Sequence, residues 1–310
     1  MRNMAKTLAG SAAIILTGVS LARAETIDIV VPFSAGGGTD MVARVFSPGF
    51  GKELGATAVI RNLAGASGSI GAGEVAKARP DGATLGYLPI GTVVIQPVLA
   101  DTSYQVSDLT PICQTTATPM FLMVAKDTPW NSVDDVVEAG KNKRLIYGSS
   151  GPGTIVHLAM AAFAQDAGIN ALHLPFAGTG PAMNAMAGGE IQLFADTSTV
   201  LEGNDLKPLA IFAKSRSPEY PDVPTMDELG YPDLNFAVWQ GVFGPKGLPA
   251  DDVAKFSTAC EKAVATETFK DFLQKSNTTL SYMDSETFSQ FVEESQKSTK
   301  KLLVNIGLAQ

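Results

Sequence analysis

The sequence is poor in the residue types on which catalytic and metal sites depend. Its 310 residues include two histidines and two cysteines, and 31 Asp and Glu outnumber 23 Lys and Arg. The net charge of -8 excludes nucleic acid as a partner, because phosphate backbones are bound through an excess of Lys and Arg. Two histidines give little material for histidine-based catalysis or a histidine metal site, so we expect no metal and no cofactor.

The two cysteines, Cys113 and Cys260, leave two alternatives open. A disulfide between them is chemically permitted if the chain is exported to an oxidising compartment. Their neighbours are ordinary core patterns, however, and free cysteine is among the most buried residue types. Two buried free thiols are therefore the favoured expectation.

Long apolar runs are also scarce. The run at residues 8–21 is shorter than the ~20 residues that a membrane-spanning helix requires. It follows Arg2 and Lys6 and precedes the Ala-Arg-Ala of residues 22–24, which is the pattern of a secretory signal. We predict a signal peptide over residues 1–24, cleavage after Ala24, and a mature protein in the periplasm.

Strand and helix patterns alternate through most of the remaining sequence. This alternation predicts an α/β architecture with a largely parallel sheet. Two such series are followed by amphipathic helices for which we expect no sheet of their own. The economical assembly has two α/β lobes: residues 25–124 plus 237–310 form lobe I and residues 125–236 form lobe II. Two strands, near 120–125 and 236–243, would cross between the lobes as a hinge.

Glycine is abundant, and much of it falls in loops that follow predicted strands. These loops are residues 34–39, 65–71, 91–92, 148–154 and 177–180. The carboxyl ends of strands border the ligand crevice of open α/β sheets, and glycine-rich helix starts present backbone N–H groups to anions. Any one loop is equally well a tight connection, but five together favour a shared cleft. None contains Lys or Arg, which suits carboxylates better than a polyphosphate.

Enzyme motifs are incomplete. The segment GAGEVA at residues 71–76 matches G-x-G-x-x-A but does not directly follow a strand. The segment GSSGP at residues 148–152 fails the G-x-S-x-G pattern at its last position. We therefore expect no enzyme. An exported hydrolase or transferase using Ser149 or Ser150 with His157 as base stays an alternative, as does a sensor that docks on a membrane kinase.

Three polar side chains near these loops have two interpretations each. For His157, a side chain that reaches the crevice and one that packs at a helix start are equally supported interpretations. His173 is expected to be structural. Asp40 is expected to hold loop amides rather than to contact a ligand. Asp196 makes a polar contact across the cleft or stabilises its loop.

Several long phrases resemble one family in the same order along nearly the whole mature chain. The family is the extracytoplasmic solute-binding receptors of the tripartite tricarboxylate transporter class, the Bug family, and the phrases are VPFSAGGGTDMVAR, RNLAGASGSIGAGEVAKARPDGATL, DLTPI, YGSSGPGTIVHLAM, LPFAGTGPAMNAMAGGEIQLFAD and SPEYPDVPTMDELGYPDLNFAVWQGVFGPKGLP. The resemblance implies a type II periplasmic-binding-protein fold that closes on a di- or tricarboxylate, acidic amino acid or aromatic acid. It also implies delivery to integral-membrane permease subunits, and we expect a monomer.

The resemblance further implies where the ligand is bound. The implied contacts of lobe I are Phe33, Ser34, Gly36, Gly37 and Thr39, those of lobe II are Ser149, Ser150, Gly151, Thr154 and His157, and a second rank consists of Gly68, Gly91, Thr92, Gly178 and Asp196. The family frequently has Arg or Lys near the position of Ala177. Alanine there leaves the contacts to the distal end of the ligand open.

Overall fold

The computed structural model describes residues 25–33, 35–176, 179–201 and 204–309. Its strands are β1 (Glu25–Val31), β2 (Ala56–Asn62), β3 (Thr84–Pro89), β4 (Leu109–Ala125), β5 (Leu145–Ser149), β6 (Ala171–Pro175), β7 (Phe194–Thr197), β8 (Leu206–Ile211), β9 (Ala237–Pro245) and β10 (Leu280–Met283). Its helices are α1 (Gly38–Leu54), α2 (Ser69–Lys77), α3 (Gln96–Leu99), α4 (Val133–Asn142), α5 (Ile155–Asp166), α6 (Thr179–Ala187), α7 (Ala250–Val264), α8 (Glu267–Lys275) and α9 (Ser285–Asn305). A π-helical turn, Gly91–Ile95, runs directly into α3.

The first sheet has the order β10-β4-β9-β3-β1-β2. β1 pairs in parallel with both β2 and β3, whereas β9 pairs antiparallel with β3 and β4. Because β1, β2 and β3 run in the same direction, the loops that follow them lie at one edge of the sheet. This edge carries the first three glycine loops.

The second set of strands repeats this arrangement on a smaller scale. β5 and β6 form a parallel pair, and β7 and β8 each pair antiparallel with β4. The loops after β5 and β6 therefore also share one edge, and α5 and α6 begin there. No helix within the described ranges has the length and apolar composition of a membrane span.

The long strand β4 takes part in both sets. It pairs with β9 over residues 109–119 and with β7 and β8 over residues 120–125. The predicted crossing points near 120–125 and 236–243 coincide with this change of partner and with β9. The exact lobe boundaries stay a prediction.

The core beneath α1 is built from aromatic side chains. Phe46 and Phe50, one turn apart on α1, are fully buried, and their ring centroids lie 5.2 Å apart. Phe46 also packs against Tyr87 of β3 and Phe269 of α8, at centroid distances of 5.7 and 6.0 Å. The buried face follows the 3.6-residue helical period. This packing holds α1, and with it the first glycine loop, firmly on the sheet.

Three sequence expectations are wrong. The sheet is mixed rather than largely parallel, because β4 and β9 pair antiparallel with all their neighbours. Cys113 of β4 and Cys260 of α7 form a disulfide, with Cα atoms 6.5 Å apart, rather than two free thiols. Their immediate neighbours carry no signal of this, because the C-terminal segment returns to the first sheet only in the folded chain. That segment also contributes a strand, since β10 pairs antiparallel with β4.

Candidate functional site

A cleft of about 920 Å³ lies between the loops that follow β1, β2 and β3 and those that follow β5, β6 and β7. Its lining consists of Phe33, Ala35, Gly36, Gly37, Gly38, Thr39, Ala64, Gly65, Ser67, Gly68, Pro89, Ile90, Gly91, Gln96, Ser150, Gly151, Pro152, Thr154, Ile155, Val156, Phe176, Thr179, Gly180, Asp196 and Val238. This volume is within the usual range for small-molecule sites, ~300–1,000 Å³.

On the first side of the cleft, α1 begins without a side-chain cap. Its N-cap residue is Gly37, and among the described residues no side chain hydrogen-bonds to the first helical amides. The first N–H groups of an α-helix have no partner within the helix, and the helix dipole gives this end a partial positive charge. The start of α1 therefore offers hydrogen-bond donors to an anion in the cleft.

The loop before α1 is held in place from behind by Asp40. Its carboxylate accepts hydrogen bonds from the Gly36 amide and the Arg44 guanidinium, both at 2.8 Å. Asn62 donates to Asp40 at 2.8 Å and to the Phe33 carbonyl at 2.9 Å. Burial raises the pKa of Asp40, but these hydrogen bonds outweigh it, and the pKa lies below its usual value. Asp40 is buried outside the lining, so its contacts support the expected structural role.

On the opposite side, α5 begins with Thr154 as N-cap. The Thr154 hydroxyl donates to the Gly151 carbonyl at 2.9 Å and accepts from the His157 amide at 3.4 Å. The buried Ser149 hydroxyl lies 3.2 Å from the Gly151 amide nitrogen and 2.8 Å from the Gly151 carbonyl oxygen. The loop is thus fixed by its own hydroxyl groups. Ile155 and Val156, the first residues of α5, line the cleft.

Asp196 lies near the end of β7 and lines the cleft. Its carboxylate accepts from the Thr179 hydroxyl at 3.0 Å and from the Thr197 amide at 2.8 Å. Burial raises its pKa despite these hydrogen bonds. Asp196 is the one charged side chain among the described lining residues, which include no Lys or Arg. An anion in this cleft would therefore be held by neutral donors.

Glycines line the cleft for two different physical reasons. At Gly68, φ is +92° and an added Cβ would lie 2.1 Å from the Thr92 methyl carbon, so the fold itself requires glycine. At Gly38, Gly91 and Gly180, no heavy atom of the described residues beyond the adjoining chain lies within 4 Å of the Cβ position, and φ is not positive. The fold places no demand for glycine at these three positions. Their common feature is that they face the cleft.

The structure brings most of the predicted site residues together. Those in the lining are Phe33, Gly36, Gly37, Thr39, Gly68, Gly91, Ser150, Gly151, Thr154 and Asp196. Thr92, Ser149 and His157 are buried and lie behind the lining. Thr92, for example, donates to the Pro89 carbonyl at 2.9 Å and accepts from the Tyr104 hydroxyl through its own carbonyl. Ser34 and Gly178 lie outside the described residues.

Sequence reasoning missed several lining residues. Thr179 lies within the predicted loop 177–180 but was not singled out. Ala64, Pro89, Ile90 and Phe176 adjoin the predicted loops, and their positions one or two residues away were the available signal. Gln96 and Val238 carried no such signal, because only the folded chain brings α3 and β9 to the cleft. Gln96 reaches the opposite loop, with its amide nitrogen 3.4 Å from the Gly153 carbonyl oxygen.

The fold and this cleft define a two-lobed α/β solute-binding protein, which confirms the predicted fold class. Residues 42–308 match the tripartite tricarboxylate transporter family receptor, TctC. The chain belongs to this family, as its sequence phrases had indicated. The family is one of solute-binding receptors.

Individual relatives agree with this assignment. BugT of Bordetella pertussis is 32% identical over 237 residues, covering 72% of each chain. MatC of Rhodopseudomonas palustris, solved with bound malate, is 28% identical with a TM-score of 0.78, covering 90% of this chain and 98% of MatC. A second R. palustris protein, solved with adipate, is 28% identical with a TM-score of 0.83, covering 92% of this chain and 98% of that protein.

Proposed function

We propose that this receptor captures a small organic carboxylate in the cleft and delivers it to a tripartite tricarboxylate-type permease. The observation that carries the proposal is the uncapped start of α1, which faces the start of α5 across a cleft whose described lining has no Lys or Arg. Amide groups at two helix starts suit one carboxylate group, which needs several hydrogen bonds and carries one charge.

The rest of the lining suits the carbon skeleton of such an acid. Phe33, Ile90, Phe176 and Val238 contribute apolar surface, while Thr39, Ser150 and Thr179 offer hydroxyl groups. Small-molecule sites typically combine apolar walls with a few oriented polar groups. The relatives solved with malate and adipate, both dicarboxylates, support this ligand class.

The remaining parts of the proposal concern the cellular setting. We propose export to the periplasm with removal of residues 1–24, action as a monomer, and lobes formed by residues 25–124 plus 237–310 and by residues 125–236. Residues 120–125 of β4 and the start of β9 would then act as the hinge.

The serine-dependent enzyme alternative receives less support. A hydroxyl group in contact with an imidazole belongs to Ser149, whose oxygen lies 2.6 Å from Nε2 of His173. Ser149 is fully buried and does not line the cleft, so a substrate could not reach it. His157, the base considered from the sequence, uses Nδ1 to accept the Gly153 amide at 3.0 Å.

A thermal-shift screen tests the proposal. The mature chain would be screened against C4 to C6 dicarboxylates, citrate, acidic amino acids and aromatic acids. A ligand at ~100 times its Kd stabilises the fold by ~2.7 kcal/mol, which is ~5 °C for a chain of this size. Malamide and adipamide are matched controls, since they keep the shape of malate and adipate without the negative charge. No shift with any acid would contradict the proposal, as would equal shifts with acids and amides.

A further inference from the structure

The two histidines of the chain pack directly against each other behind the α5 side of the cleft. The imidazole rings of His157 and His173 are stacked, with centroids 3.8 Å apart and planes within 9° of parallel. The Tyr147 ring stacks on this pair, 5.1 Å from His173 and 6.2 Å from His157. His157 is 7% exposed. His173 is partly buried, and neither ring belongs to the lining, so the pair lies behind it.

Each imidazole is hydrogen-bonded to one end of the loop that carries Ser150, Gly151 and Pro152 into the cleft. His157 accepts the Gly153 amide through Nδ1 at 3.0 Å. Nε2 of His173 lies 2.6 Å from the Ser149 hydroxyl oxygen, and that hydroxyl in turn contacts both backbone groups of Gly151. The loop is therefore attached to the stacked pair immediately before and after its cleft-facing residues.

We infer that His157 and His173 are positioning residues, whose neutral, stacked imidazoles hold the loop of residues 149–154 in the conformation that receives the carboxylate. This inference rests on the proposed function. The role needs an unprotonated Nδ1 on His157, since a protonated nitrogen cannot accept the Gly153 amide. Two stacked rings 3.8 Å apart also cannot both carry charge without strong repulsion.

The surroundings keep the pair neutral. Burial lowers the pKa of His157 to about 4, with a further contribution from His173, and burial also lowers the pKa of His173. From β5 the pair faces Tyr147, whose pKa burial raises to about 12, so the phenol stays uncharged. The acidic residue of β7, which packs against α5, is Asp196, and its hydrogen bonds go to Thr179 and Thr197.

A direct electrostatic role of His157 would predict the opposite effect of its protonation on ligand affinity. If His157 acted by attracting the ligand, its protonated form would bind an anion more tightly. The positioning role instead depends on a hydrogen-bond acceptor at the position of Nδ1, where it receives the Gly153 amide. Asparagine provides such an atom, because its Oδ1 is as many bonds from Cβ as Nδ1 of histidine. His157→Asn should therefore keep the Gly153 hydrogen bond, whereas His157→Leu should lose it and retain a side chain of similar bulk.

The test compares the wild type, His157→Asn and His157→Leu by calorimetric titration with malate and adipate at pH 7. We expect His157→Leu to bind ~5-fold more weakly, the loss equivalent to one net hydrogen bond, and His157→Asn to bind within ~2-fold of the wild type. NMR of the untagged wild type should show both imidazoles neutral at pH 7, with Nδ1 of His157 unprotonated. The Gly153 amide should exchange with solvent faster in His157→Leu than in the other two proteins.

The remaining outcomes contradict either the positioning role or the proposed function. Equal affinity of His157→Leu and the wild type overturns the positioning role and leaves the proposed function intact. Equal weakening in His157→Asn and His157→Leu, or a charged ring at pH 7, also overturns it. If the wild type binds neither malate nor adipate, the thermal-shift screen decides the proposed ligand class, and amide exchange at Gly153 alone decides the inference. Equal exchange in all three proteins then refutes it.

Discussion

Replacing Gly38 by alanine should stabilise the fold while weakening ligand binding. Gly38 is the first residue of α1 and lines the cleft. In the part of the chain that the structure describes, no atom beyond the adjoining backbone lies within 4 Å of its Cβ position, and its φ is not positive, so alanine fits without strain. Gly49, in the same helix, has ordinary contacts at its Cβ position, the shortest 3.4 Å, and does not line the cleft. Gly49→Ala is therefore a matched control.

Gly38→Ala should raise the stability of the fold and lower its affinity for the ligand. Glycine to alanine at a compatible position stabilises by ~0.4–1 kcal/mol, chiefly by restricting the unfolded chain. For a chain of this size that raises the Tm by ~1–2 °C. A methyl group in front of the α1 amides keeps a carboxylate away from them, and losing one hydrogen bond to a charged group costs ~1.5–3 kcal/mol. The expected loss of affinity is ~10- to 150-fold.

Thermal unfolding and calorimetric titration with malate and adipate measure both quantities on the same samples. Gly38→Ala should have the higher Tm and the weaker binding, whereas Gly49→Ala should have the higher Tm and wild-type binding. Unchanged affinity in Gly38→Ala would show that the ligand does not approach the start of α1. Equal loss in both variants would show that the effect comes from the helix as a whole.

Three further predictions follow from other groups. The pKa of His157 is lowered from its ordinary value to about 4, so its contribution of ~3 kcal/mol to stability is complete above ~pH 6.5 and is lost as the pH falls towards 4. Urea unfolding of the wild type and of His157→Asn across this pH range measures that contribution. Parallel pH profiles of the two free energies of unfolding would contradict it. The disulfide between Cys113 and Cys260 spans 147 residues, so replacing both cysteines by alanine should lower the free energy of unfolding by up to ~5 kcal/mol without changing ligand affinity. Because burial raises the pKa of Asp196, its carboxylate costs stability as the pH rises through that pKa. The Tm of Asp196→Asn minus that of the wild type should therefore grow as the pH rises, and a difference that shrinks would refute this interpretation.

Local sequence signals predicted the elements that build the cleft. The apolar run at residues 27–31 lies in β1, and the glycines after it lead into α1 as expected. Ser132 directly precedes α4, and its hydroxyl caps the helix by accepting the Asp135 amide at 3.1 Å. These signals are readable because strand periodicity, caps and glycine turns depend on residues within a few positions of one another.

Features that depend on distant parts of the chain were not predicted. The pairing of Cys113 with Cys260 and the addition of β10 to β4 arise only when the C-terminal segment packs on the first sheet. The stacking of His157 on His173 likewise requires α5 to lie over β6. The sequence placed His157 beside the glycine loop and predicted a structural role for His173, but contained no signal that the two rings would stack on each other.

A crystal structure with a carboxylate from the ligand screen tests the central claim most directly. The account predicts that the carboxylate lies in the cleft, with its oxygens at ~2.7–3.2 Å from backbone amides at the starts of α1 and α5, directly or through one water. It also predicts that no Lys or Arg side chain forms an ion pair with that carboxylate. A carboxylate held by a cationic side chain, or bound away from both helix starts, would contradict the account.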